Sequence, residues 1–102
     1  MKIKFNGELK NLQGTVLTDG KISKQVGNIL ATEKSELDTV KSYILAQDLY
    51  KGEAIDIEKD TLEKIKRAIE KTETLILFAK AQVIMEIDIQ LKKYDDLTKD
   101  TK

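Results

Sequence analysis

The side chains with chemical potential in this chain are carboxylates and amines. Glu53, Asp56, Glu58 and Asp60 crowd into one short stretch, the sort of acidic cluster that hard cations such as Mg²⁺ or Ca²⁺ favour. The ligand order and central glycine of a calcium-binding loop are absent, and Lys51 and Lys59 neutralise the neighbourhood. These acids are better explained as a solvated strand edge and helix start, where negative charge is favourable. Histidine and cysteine are both absent. That removes metal sites built on thiolate or imidazole, Ser-His-Asp and Cys-His nucleophiles, and imidazole acid–base chemistry. No G-x-x-x-x-G-K-[ST] or G-x-G-x-x-G loop is present to cradle phosphate. The expectation is a chain that is not an enzyme and holds no metal or cofactor. The one catalytic route left open is carboxylate chemistry through Asp56, Glu58 and Asp60.

Nucleic-acid binding can be weighed in the same way. Lys59, Lys64, Lys66, Arg67 and Lys71 give one segment a basic aspect, but they alternate with Glu58, Asp60, Glu63, Glu70 and Glu73. That pattern describes a salt-bridge-laced solvent face. Lysine plus arginine total 18 against 18 aspartates and glutamates, so no net field steers the chain towards nucleic acid or an anionic membrane. Arg67 is the lone arginine, which confines bidentate guanine readout to one position. Tyr43 and Tyr50 could stack on a base, but at helical spacing they read as the edge of a core.

The positioning elements follow from periodicity. Met1, Ile3 and Phe5 alternate with Lys2 and Lys4, as in a half-buried strand, and Asn6-Gly7 is a strong hairpin signal. A second extended piece over 8–12, the β character of Thr15, Val16 and Leu17, and a turn at Asp19-Gly20 complete a small β unit over 1–20. From Ile22 the period turns helical: Ile22, Val26, Ile29 and Leu30 share a face, Ser23 is the N-cap candidate, and Gly27 implies a short helix or a close contact. Ser35 and Asp38 open a second helix whose stripe is Leu37, Val40, Ile44, Leu45 and Leu49, with Gly52 placed to end it. Ala54 to Ile57 alternates and could add a strand to the N-terminal unit. Asp60 and Glu63 mark the start of a third helix with Leu62, Ile65, Ala68 and Ile69 inward.

The most apolar segment is 74–91, TLILFAKAQVIMEIDIQL. Wound as a helix, it gathers Gln82, Glu86 and Gln90 on one face, while Lys80 and Asp88 fall elsewhere. Its second half, 85–91, alternates strictly and fits a strand equally well, although length favours a helix. A rod apolar over most of its circumference needs a dry neighbour. Either the rest of the domain or a second copy supplies it.

The order of these pieces resembles a class of small phage and prophage proteins of unassigned activity. Their pattern runs l-G-x-x-l, n-x-L, y-x-L-A-x-x-l-y, v-e-L, D-x-x-x-I-x-x-x-I and a last apolar helix. It falls here on 12–17, 28–30, 42–50, 55–57, 60–69 and 75–89. Tyr43, Ala46 and Tyr50 match it loosely, and the glycine often found in the last helix is missing. The resemblance implies a phage or prophage origin and carries no catalytic residue across.

A chain of 102 residues makes one domain, burying about 60 to 65% of its unfolded surface. The fold class expected is α+β and helix-dominated: an N-terminal β-hairpin unit over 1–20, a bundle of about four helices over 21–94 with the last one central, and a polar flexible tail over 95–102. No apolar run is long enough to span a membrane, and Asn6-Gly7 comes too early for a signal peptide. A cytoplasmic setting is therefore expected. The function expected is non-catalytic protein–protein association, with self-association, through Leu77, Phe78, Ile84, Met85 and Ile87. The alternative is a small nucleic-acid-associated regulator.

Overall fold

The structure is a computed structural model that describes residues 2–100. The elements run β1 (Lys2–Ile3), β2 (Glu8–Lys10), β3 (Val16–Lys21), α1 (Ile22–Thr32), α2 (Thr39–Tyr50), β4 (Ile55–Asp56), α3 (Lys59–Lys71) and α4 (Leu77–Asp100). The class is α+β with helix dominant. Ile3, Phe5 and Leu9 point inward while Lys2, Lys4 and Glu8 stay exposed, as the alternation requires. Met1, which was expected to start that alternation, lies outside the described residues.

The strand pairing differs from the expected hairpin. β1 pairs antiparallel with β4, Ile3 opposite Ile55, and β2 pairs antiparallel with β3. Asn6-Gly7 is therefore a joint between two two-stranded sheets and not a hairpin turn; the Gly7 carbonyl accepts from the Ile22 N–H at 3.1 Å. The actual hairpin turn is Asn11 to Thr15. The Asn11 side-chain oxygen accepts from the Gln13 and Thr15 N–H groups, and Gly14 takes the positive φ of 89°. Asp19-Gly20 is not a turn either. Gly20 sits inside β3, where an added Cβ would lie 2.8 Å from the Leu17 carbonyl oxygen, so the glycine serves an irregularity in the ladder. β4 joins the N-terminal unit as expected.

Three helix starts also shift. Ser23 lies inside α1, and its hydroxyl donates to the Leu49 carbonyl of α2, so it ties helix to helix instead of capping. Asp38, not Ser35, caps α2, accepting from the Lys41 N–H at 3.2 Å. α3 begins just before Asp60, which stands in its first turn and pairs with Lys64. Gly52 ends α2 with φ 78°, its N–H donating to the Leu49 carbonyl. The stripe expected on α2 is corrected as well. Leu45, Ala46, Leu49 and Ser42 are buried, whereas Val40 and Ile44 are exposed.

The reason lies in Gly27. A Cβ there would stand 2.9 Å from the Ala46 carbonyl oxygen and 3.0 Å from the Tyr50 nitrogen. α1 and α2 thus meet backbone to backbone, and α2 must turn its small residues to that contact. One apolar core results, from Ile3 and Phe5 through Val26, Ile29, Leu49, Leu62, Ile65 and Ile69 to Val83 and Ile87. α4 is a single helix, 85–91 included, and it runs to Asp100, into the stretch expected to be a tail; Thr101 and Lys102 lie outside the described residues. It is not central. One side packs on α3 and β2 and the other faces outward. Gly27→Ala should lower stability by about 1 to 2 kcal/mol in urea unfolding, since overpacking against backbone outweighs the roughly 1 kcal/mol helix gain. Asn28→Ala, on the exposed side of the same turn, should not destabilise.

Candidate protein-interaction face on the last helix

The face begins with what α4 buries. Gln82, Glu86, Gln90 and Tyr94 recur every fourth residue and form one row along the helix. That row lies against the main chain of the N-terminal segment. The Gln82 amide donates to the Lys10 carbonyl and accepts from the Lys10 N–H, both at 2.8 Å. Glu86 accepts from the Asn6 N–H at 3.3 Å, and the Gln90 amide donates to the Lys4 carbonyl at 3.2 Å. Tyr94 donates its hydroxyl proton to the Ile57 carbonyl at 2.5 Å, and burial pushes its phenol pKa up. A strand edge that would otherwise need another strand or water is thus satisfied by helix side chains. Gln90 is buried, and its Oε1 has no hydrogen-bond partner among the described residues.

With the polar row turned inward beside Ala79, Val83 and Ile87, the opposite side of the helix faces out. There Leu77, Ala81, Met85 and Ile89 form a second row at the same spacing. Leu77 is 84%, Met85 64% and Ile89 56% exposed. Exposed Ile76 precedes the row in the α3–α4 connection. That connection is held by Glu33, whose carboxylate accepts from the Thr72 hydroxyl at 2.7 Å and the Thr74 hydroxyl at 2.6 Å. These bonds keep the Glu33 pKa below the usual carboxylate range. On the flank, Lys66 of α3 pairs with Asp88 at 2.7 Å.

Of the residues expected at an interface, Leu77 and Met85 lie on the outward row. Phe78 and Ile84 are half-buried against the core, and Ile87 is fully buried within it. Ile87 is corrected to a core residue: it shares the helix face of Val83, which packs inward. Ala81, Ile89 and Ile76 were missed. The signal for the first two was present in the sequence, because they complete the four-residue repeat with Leu77 and Met85.

The other candidate chemistry is dispersed. Among the described residues, no group of three or more His, Cys, Asp or Glu side chains converges to hold a metal ion. Asp56 lies on β4 opposite Lys2, while Asp60 pairs with Lys64. Of the basic residues on α3, Lys59 pairs with Asp95, Lys64 with Asp60, Lys66 with Asp88, and Arg67 with Glu36 in a two-nitrogen contact. Tyr43 and Tyr50 are exposed rather than set at the core edge. Among the described residues, no helix is long and apolar enough to cross a membrane. Compared with protein-family models, curated proteins and solved structures, the chain matches none.

Gln82→Ala should speed hydrogen exchange at the Lys10 amide by about tenfold or more, the equivalent of one lost hydrogen bond of about 1 to 1.5 kcal/mol. Amides in the Gly27 turn of α1 should keep their protection. An unchanged Lys10 rate would show that the glutamine does not secure this edge.

Proposed function

We propose that the chain is a non-catalytic association protein that pairs with a second copy of itself through the outward row of α4. The observation that carries this reading is the row itself. Leu77, Ala81, Met85 and Ile89 stand in line on a helix whose Gln82, Glu86 and Gln90 are committed to the fold. The row is also complementary to its own reverse. In an antiparallel pairing about a two-fold axis between Ala81 and Met85, the small Ala81 of one copy receives Met85 of the other, and Leu77 meets Ile89. Covering these side chains and Ile76 on both copies removes on the order of 1,000 Å² from water, near the lower bound of a specific interface. The pairing is accordingly weak and dependent on concentration.

The nucleic-acid reading loses its main support, because the basic side chains that suggested it are largely engaged in ion pairs.

Light scattering across a dilution series tests the proposal, with the chain expected to pass from monomer to dimer as concentration rises. Met85→Lys should abolish the dimer and leave helical content and melting nearly unchanged. Ile87→Asp should unfold the chain, since it places a charge in the core. A wild-type chain that stays at 11.6 kDa at the highest attainable concentration would overturn the reading.

A further inference from the structure

A second apolar surface lies away from α4, where α1 and α2 cross. The backbone contact at Gly27 draws the two helices so close that a shallow groove of about 250 Å³ opens over the crossing. Ala31 and Ala46 line it, and Tyr43 and Tyr50, two turns apart along α2, stand beside them. Both tyrosines are more than half exposed, and tyrosine is the side chain that offers contact area at least cost in conformational freedom. The volume suits one large aromatic or two small aliphatic side chains. The one charged side chain that lines it among the described residues is basic. Lys51 lines the groove, and the Lys24 ammonium sits 5.1 Å from the centroid of the Tyr50 ring. Among the described residues, no carboxylate lines the groove.

We propose that the groove between α1 and α2 docks a partner protein's acidic peptide segment, anchored by one large apolar side chain between Tyr43 and Tyr50. Lys24 and Lys51 meet the acidic residues that flank the anchor, and the Tyr50 ring holds Lys24 in place for that contact. A second copy's α4 is a poor occupant, because exposed Lys92 and Lys93 stand among Asp88, Asp95 and Asp96 there, a mixed-charge face instead of an acidic one. The groove and the α4 row are separate surfaces, so this inference does not depend on self-association.

Selection of a random peptide library on the folded chain at low salt tests it, followed by affinity measurements on the enriched peptides. The expected winners carry net negative charge and one Phe, Trp or Leu. Their affinity should fall about tenfold or more in the doubly charge-reversed variant Lys24→Glu/Lys51→Glu. Ala31→Trp should remove binding by filling the groove from its exposed rim, and an unchanged thermal melt would show that the fold persists. Met85→Lys, which lies on α4, should leave peptide affinity as it is. No enrichment, enrichment of neutral or basic peptides, or binding that survives Ala31→Trp would each overturn the proposal.

Discussion

The structure depends on how one strand edge is satisfied. The segment from Lys4 to Lys10 carries main-chain donors and acceptors along a side that no strand covers, and α4 covers them with Gln82, Glu86 and Gln90. Three of these four bonds are exposed, so water is the alternative partner and each contributes about 0.5 to 1.5 kcal/mol. The same row continues to Tyr94 and the Ile57 carbonyl, so one helix face holds both the N-terminal segment and the chain just after β4. A helix has only one circumference. Committing this side to hydrogen bonds leaves the apolar residues opposite it, Leu77, Ala81, Met85 and Ile89, with nothing in the domain to pack on.

The rest of the domain tolerates this because its cohesion lies elsewhere. α1 and α2 approach at Gly27, and Ser23 and Ser42 each donate a hydroxyl across that pair, to the Leu49 and Leu30 carbonyls. Leu62, Ile65 and Ile69 of α3 lie fully inside the core. The ion pairs Lys66–Asp88 and Lys59–Asp95 also link α4 to α3. They are exposed and individually weak. The burial of Ala79, Val83 and Ile87 decides which way α4 is turned, and the Glu33 contacts to Thr72 and Thr74 hold the connection from which it begins.

Much of this was legible in the residues. The α3 stripe, the C-terminal glycine of α2 and the helix dominance of the α+β fold follow from local spacing, whereas Gly27 fits a short helix or a close contact alike and the structure selects the contact. The strand partners did not follow, because Asn6-Gly7 and Asp19-Gly20 carry strong turn chemistry that longer-range pairing overrides. Nor did the orientation of α4. Hydrophobicity alone leaves open which apolar side of 74–91 turns inward, and the glutamines go in because the adjacent edge is polar. Nothing local in 74–91 records that the neighbouring surface is a row of amides. Ile87 was misplaced for the same reason, and Ala81 was overlooked because a small residue gives little hydrophobic signal.

The most direct test exploits a chain without cysteine. Single cysteines placed across α4 report, through their rate of reaction with a thiol reagent, which side of the helix meets water. Ala81→Cys, Met85→Cys and Ile89→Cys should react nearly as fast as a free thiol in dilute solution and more slowly as the protein is concentrated. Val83→Cys, Ile87→Cys and Gln90→Cys should stay slow at every concentration. Fast reaction at Gln82, Glu86 and Gln90 positions, with 81, 85 and 89 protected at all dilutions, would contradict the account, because α4 would then be turned the other way.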